Sequence, residues 1–238
     1  MYKPSFKTSA TKVPILSKDQ LDTIGENLVE DFCPEAMMHP QQIDIDRFLT
    51  NYLGADLDYK DLSHCGLYLG MTVFEDCGTV PVFNFDKWQA EYISVKAGTV
   101  LIDNCLLEEK QEHRYRFTAA HEGGHKILHH EFFTELARIA QTKENYVPMI
   151  QCRVDSTRIS RHCGYNRNDR EWMEWQANRL ASAILMPKHM VIKTVHHAER
   201  RSCSVNAGLE AVATTFNVSN DAAWYRISEL GLMRQSNI

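Results

Sequence analysis

The chain has 238 residues, of which 44% are hydrophobic and 24% charged, and its formal net charge is −5. This composition is typical of a globular protein and excludes a wholly disordered chain. The acidic balance disfavours a general nucleic-acid coat, which normally carries a strong basic surplus. The seven cysteines form no Cys-x-x-Cys pair. The pattern therefore indicates neither a disulfide framework nor a cysteine zinc site.

The first elements along the chain are predicted to be an arm and two helices. Residues 1–16 contain two prolines and many small polar residues, so we expect a flexible N-terminal arm. Its start has no apolar run that could serve as a signal peptide, and no later stretch is long and apolar enough to span a membrane. We therefore expect a cytoplasmic protein. Ser17 is the predicted N-cap of a helix that ends before Pro34, and a second helix is predicted over residues 43–53.

The middle of the chain changes from helical to strand character. Residues 67–74, 80–85 and 92–103 are rich in β-branched and aromatic residues and are separated by turn signals. We expect them to form a small, largely antiparallel sheet. A third helix is predicted over residues 119–133, with Thr118 as its N-cap.

The second half is predicted to be helical around an irregular stretch. Residues 142–169 are polar and irregular, and a helix over residues 169–186 follows, which ends at Pro187. Two short helices are predicted over residues 209–216 and 221–230. We therefore expect an α+β fold, in which the sheet packs on the third helix and further helices lie at both ends. Its predicted units are residues 17–190, the main domain, and residues 191–238, a helix-turn-helix-like segment packed on it.

The third helix carries a sequence of the form H-E-x-x-H, which runs from His121 to His125. Residues four apart lie on one helix face, so both imidazoles can bind one metal ion. Glu122 lies beside that face, where it can accept a proton from a metal-bound water. Zinc suits such a site because it binds nitrogen and oxygen ligands and keeps one position open. The adjacent Gly123 and Gly124 weaken a helix, which indicates that another part of the protein approaches closely here.

The third ligand must come from elsewhere in the chain. His129 lies two turns from His121, too far along the helix for a shared ion. Glu174 shares a largely apolar helix face with Asn178, and a carboxylate on such a face needs a partner. Glu174 is the best candidate, and Asn178 could orient a histidine ligand. Glu171 is the rival ligand, although its charge also suits the start of a helix.

Residues 116–129 and 174–187 together resemble the ImmA/IrrE family of bacterial and phage metallopeptidases. The likeness extends more weakly over residues 17–233. It implies a zincin-like fold and a zinc ion held by His121, His125 and Glu174, with Glu122 as the catalytic base. Characterised members of this family cut or inactivate Xre-type helix-turn-helix repressors. The resemblance therefore implies a zinc-dependent endopeptidase whose protein substrate is such a repressor.

Other readings of the same residues stay open. The protein could be a regulator that contains structural zinc and inactivates a repressor by binding alone, although such a site has no need of Glu122. The tail could bind DNA, although its charges are mixed. Five arginines between residues 153 and 170 could form a basic flap or an ordinary solvated loop. Four residues are candidates for stabilising the oxyanion by residue type alone: His162, Tyr165, Arg179 and His189.

Overall fold

The computed structural model describes residues 1–140, 149–153, 169–201, 204 and 206–232. The described helices are α1 (Lys18–Phe32), α2 (Pro34–Met38), α3 (Ile45–Arg47), α4 (Glu112–Leu128), α5 (His130–Ala140), α6 (Asp169–Leu185), α7 (Lys188–Arg201), α8 (Ala207–Phe216) and α9 (Asn220–Glu229). A π-helical turn, Phe48–Tyr52, continues α3, and two 3₁₀ turns, Asn104–Leu107 and Glu109–Gln111, precede α4. The described strands are β1 (Asp56–Lys60), β2 (Tyr68–Val73), β3 (Cys77–Asn84), β4 (Gln89–Val95), β5 (Thr99–Asp103) and β6 (Met149–Arg153). This mixture of helices and small sheets is an α+β fold.

The strands form two sheets instead of the single sheet that the sequence predicts. One sheet has the order β1-β5-β2-β6, and the other is the hairpin β3-β4. The pairs β2–β5, β2–β6 and β3–β4 are antiparallel, whereas β1 pairs with β5 in parallel. The expectation of largely antiparallel pairing is confirmed. Neither β1 nor β6 is predicted, because β1 consists mostly of charged residues and β6 lies within a stretch whose composition is typical of a loop.

The helix that carries H-E-x-x-H begins earlier than the sequence predicts. It starts at Glu112, whose charge suits a helix N-terminus. Thr118 is buried inside the helix, so its assignment as an N-cap is wrong. The periodic apolar residues that suggested this start begin only after the first, charged turns. The helix ends at Leu128, and the N–H of His129 donates to the His125 carbonyl before α5 begins.

The central helices α4 and α6 pack closely against each other, and α4 also contacts β2 and β5. A Cβ atom on Gly124 would lie 3.2 Å from the Ala177 carbonyl oxygen of α6. A Cβ atom on Gly123 would lie 2.9 Å from Leu49 Cδ2 in the π-helical turn. The close approach that the two glycines predict is therefore present on both sides of α4.

The N-terminal arm is packed more closely than its composition suggests. A bridge pairs Thr8 with Pro14, and the side chain of Val13 is only 2% exposed. Val13 lies in a small apolar cluster with three other buried residues, Phe74, Phe133 and Met173. The carbonyl oxygen of Pro14 accepts hydrogen bonds from two side chains of α6. These bonds and the burial of Val13 fix the end of the arm.

An ion-pair cluster joins α1 and α9, which are far apart in sequence, to α6. It consists of Asp22 on α1, Arg179 on α6, and Arg226 and Glu229 on α9. Asp22 contacts Arg179 at 2.6 Å and Arg226 at 2.7 Å, and Arg179 also pairs with Glu229. Asp22 and Arg226 are almost completely buried.

Within the described ranges, no helix combines the length and apolar character that crossing a bilayer requires.

Candidate metal centre

Two helices bring together the three residues predicted as metal ligands. The Nε2 atoms of His121 and His125, one turn apart on α4, are 2.9 Å from each other. Glu174 reaches them from α6, with oxygens 3.3 Å from His121 Nε2 and 3.6 Å from His125 Nε2. All three residues are buried, and their ligand atoms lie within 4.8 Å of one another. Among the described residues, this is the one group of three such side chains that could hold a metal ion.

The hydrogen bonds of the group fit a bound cation. The Nδ1 atom of His121 lies 3.0 Å from the Asn178 side-chain oxygen. That oxygen accepts, so Nδ1 carries the proton and Nε2 directs its lone pair at the centre. The oxygens of Glu174 are buried and make no hydrogen bond of good geometry within the described part of the chain. Lone pairs and a carboxylate that face one point need a positive charge between them.

Burial sets the charge states of the ligands. It lowers the pKa of His125, which favours the neutral imidazole that a metal requires. Burial also raises the pKa of Glu174, but the neighbouring His125 and His121 lower it by more. The pKa of Glu174 therefore lies below its usual value, and the group remains a carboxylate.

Glu122 lies between α4 and strand β2 and is completely buried. The hydroxyl of Thr72 donates to its Oε2 at 2.5 Å, whereas its Oε1 has no hydrogen-bond partner among the described residues. A Cβ atom on Gly70 would lie 2.6 Å from that Oε1, so only a glycine here leaves room for the carboxylate. Burial raises the pKa of Glu122 to about 8, although His121 and Thr72 oppose the shift.

The predictions missed two buried residues behind the ligands. His129 is fully buried, and its Nδ1 lies 2.9 Å from His125 Nδ1. Its Nε2 lies 3.0 Å from the side-chain oxygen of Gln176. The sequence correctly places His129 outside the ligand group. The signal for its position was its spacing, since it follows His125 by one further helical turn.

The remaining candidates that the structure describes do not converge on the centre. Glu171 is exposed and lies outside the ligand group. Arg179 belongs to the ion-pair cluster, and the ring of His189, whose side chain is 70% exposed, is bonded to Glu26. His162, Tyr165 and most of the arginines of the predicted basic flap lie outside the described residues.

The turn of the helix-turn-helix-like tail packs against the first turns of α4. Asn217, which ends α8 in a left-handed conformation, donates to the Glu112 carboxylate at 2.6 Å. The backbone carbonyl oxygen of Asn217 accepts a hydrogen bond from Arg116 Nε at 3.0 Å. The His113 ring lies 3.0 Å from the Asn217 side-chain oxygen. These contacts occupy the turn between α8 and α9.

Comparison with known proteins agrees with this site. The family model of peptidase M78, described as an IrrE N-terminal-like domain, matches residues 154–228. The match contains Glu174 and Asn178 and begins after α4. Together with the site, it defines a protein of the metallopeptidase type. This part of the chain is therefore similar to the IrrE-like domain, which agrees with the resemblance that residues 116–129 and 174–187 carry. No curated protein matches the chain.

Proposed function

We propose that the protein is a zinc-dependent endopeptidase that cleaves a helix-turn-helix repressor of the Xre type. The observation that carries the proposal is the placement of Glu122 next to the three candidate ligands, because this buried carboxylate has one oxygen without a partner in the described part of the chain. A structural metal site needs the ligands, but it has no need of such a carboxylate.

Zinc is the metal that the ligand set favours. Two imidazole nitrogens and one carboxylate are a ligand set of catalytic zinc sites, which leave a fourth position open. When bound, zinc lowers the pKa of water and polarises the carbonyl group of a peptide bond. We assign the three protein ligands to His121, His125 and Glu174.

Glu122 is the proposed general base. A group transfers protons best when its pKa lies near the working pH, and the pKa of Glu122 is raised to about 8. Glu122 takes a proton from the attacking water as the remaining hydroxide joins the carbonyl carbon. It then passes that proton to the amide nitrogen as the carbon–nitrogen bond breaks. The Thr72 hydroxyl holds the other oxygen, so that the carboxylate keeps one orientation.

The proposed substrate class rests on the family. Characterised ImmA/IrrE members act on Xre-type repressors, and a peptidase requires a protein substrate. Direct contact with DNA forms no part of this proposal, because the turn of the tail is occupied by α4.

The test compares wild type with Glu122→Gln and with Glu131→Gln, which changes an exposed glutamate at the start of α5. Each protein is loaded with zinc and incubated with the helix-turn-helix repressor that is encoded nearest its gene, and new peptide termini are identified by mass spectrometry. We expect wild type and Glu131→Gln to cut at the same bond. Glu122→Gln should keep its zinc and cut about 10²- to 10⁴-fold more slowly.

Two results would overturn the proposal. Cleavage by Glu122→Gln at the wild-type rate would remove Glu122 as the base. Tight binding of the repressor by zinc-loaded wild type without any cleavage would instead identify the non-catalytic regulator.

A further inference from the structure

A line of buried hydrogen bonds runs from the N-terminal arm to a metal ligand. The side-chain nitrogen of Gln176 donates to the Pro14 carbonyl oxygen at 2.6 Å. The side-chain oxygen of Gln176 lies 3.0 Å from His129 Nε2. His129 Nδ1 lies 2.9 Å from His125 Nδ1. Gln176, His129 and His125 are all 0% exposed, so water does not compete for these bonds.

The position of each proton along this line follows from the Pro14 carbonyl oxygen, with which the line begins. A carbonyl oxygen only accepts, so the Gln176 amide must direct its NH₂ group at Pro14 and its oxygen at His129. That oxygen also only accepts, so His129 carries its proton on Nε2. In the neutral ring, Nδ1 is then an acceptor, and the proton between the two rings belongs to His125 Nδ1. His125 is left with a lone pair on Nε2, the atom that faces the ligand group.

We propose that His129 is a positioning residue for the ligand His125, and that the Pro14 carbonyl fixes its tautomer through Gln176. This inference rests on the proposed role of His125 as a metal ligand. The partners of a ligating histidine usually set its tautomer and orientation. Here the partner is a second histidine, and the group that decides its state belongs to the N-terminal arm, 162 residues from Gln176 in sequence.

The end of the arm is well placed for this role. Val13 is buried in an apolar cluster, and the Trp172 indole donates to the same Pro14 oxygen at 3.1 Å. The buried side chain of Val13 therefore holds the end of the arm without any contact to the histidines. Trp172 offers a matched control, because its bond reaches Pro14 without continuing to the metal ligands.

The first measurement is zinc affinity, determined by competition with a chromophoric chelator on the full chain. His129→Phe keeps a ring but removes the acceptor for His125, and we expect affinity to fall about 10- to 100-fold. His129→Asn returns an acceptor near the position of Nδ1 and should recover most of the affinity. Gln176→Met should weaken binding less than His129→Phe, and Trp172→Phe should leave it unchanged.

The second measurement needs no metal and begins with the wild-type protein. Imidazole ¹⁵N spectra of the metal-free protein report which ring nitrogen carries each proton. We expect the His129 proton on Nε2 and the His125 proton on Nδ1. In Gln176→Met, His129 should lose this single tautomer, whereas Trp172→Phe should retain it.

The outcomes separate this inference from the proposed function. A His129 proton on Nδ1 in wild type would overturn the inference, as would wild-type zinc affinity in a folded His129→Phe. If the wild-type protein itself bound no zinc, the proposed endopeptidase would fail, whatever the tautomers showed.

Discussion

Helix α6 contributes to two buried polar clusters of opposite character. Towards its C-terminal half, Arg179 enters the ion-pair cluster, in which two arginines face two carboxylates. Towards its N-terminal half, Glu174 joins two histidines and lies near Glu122, and each carboxylate has a buried oxygen with no hydrogen-bond partner among the described residues. The first cluster balances its charge within the chain, whereas the second has an excess of negative charge.

This difference in charge balance distinguishes a cluster that stabilises the fold from a group that is suited to bind a cation. Breaking a buried ion pair leaves an unpaired charge, so we expect the buried members of the ion-pair cluster, Asp22, Arg179 and Arg226, to be needed for stability. The metal-site group gathers one carboxylate and two imidazoles around one point, and functional sites are where groups with perturbed pKa values collect. The two clusters should therefore respond to substitution in different ways.

The largest expected effect is the loss of metal in Glu174→Ala. Wild-type protein should carry about one zinc per chain when measured by elemental mass spectrometry, because three ligands define one site. Glu174→Ala should bind zinc far more weakly, since it keeps only two. Glu171→Gln, which changes the exposed rival one turn earlier, should retain the ion. Equal zinc content in all three proteins would remove Glu174 from the ligand set.

Asp22→Ala should affect stability instead of metal content. It leaves Arg179 and Arg226 buried without their shared partner, so the free energy of unfolding should fall by about 3–5 kcal/mol. The control is Asp19→Ala on the same helix, where the side chain is 88% exposed and the loss should stay below about 1 kcal/mol. Urea unfolding measures both. Equal losses would mean that the buried cluster is not needed for stability.

Gly70→Ala should disturb the base without removing a ligand. The new Cβ would meet Glu122 Oε1 at 2.6 Å and Thr118 Cγ2 at 2.9 Å. Overpacking of this kind costs about 1–3 kcal/mol, and we expect slower cleavage with zinc retained. Gly208→Ala in α8 serves as a control, because alanine favours the helix and its nearest contact, Val195 Cγ1 at 3.2 Å, is a side-chain methyl. Unchanged cleavage by Gly70→Ala would mean that Glu122 has space to move.

The smallest effect is a dependence of stability on pH. The pKa of Glu122 is raised to about 8 in the folded state and is about 4.3 in an unfolded chain. Between these values the folded protein binds one more proton than the unfolded chain, so its stability falls as pH rises. Metal-free wild type should lose about 1 kcal/mol more than Glu122→Gln between pH 7 and 8.5. Parallel urea-unfolding profiles for the two proteins would show that Glu122 is already ionised at pH 7.

The sequence predicted the helix ends and side-chain contacts that depend on residues close together in the chain. The N-cap of α1 is Ser17, and Gln20 completes a capping box. Helix α6 lies within about one residue of its expected bounds, because its N-terminal charges and Pro187 mark both ends. The pairing of Asn178 with His121 follows from its spacing of one turn from Glu174. Each of these features can be predicted from residues that lie within a few positions of one another.

The features that the sequence did not predict depend on distant contacts. Strand β1 has only two apolar residues, Leu57 and Tyr59, and it becomes a strand by pairing in parallel with β5, about 40 positions later. The burial of the arm depends on residues of α6 that follow more than 150 positions later. The role of His129 depends on the same contact, since Gln176 links it to Pro14. Nothing in the sequence around Gly70 indicates that the Glu122 side chain packs against it.

The contact between Gly124 and Ala177 has a consequence for how the protein is switched on. Because a backbone carbonyl fills the space next to Gly124, the spacing of the two ligand-bearing helices is fixed by packing before any ion arrives. Many small zinc domains fold only when their metal binds. Here we expect the empty protein to remain folded, to lose its ion to a chelator and to regain it without refolding. Metal supply, and not new synthesis, would then set how much of the protein carries its ion.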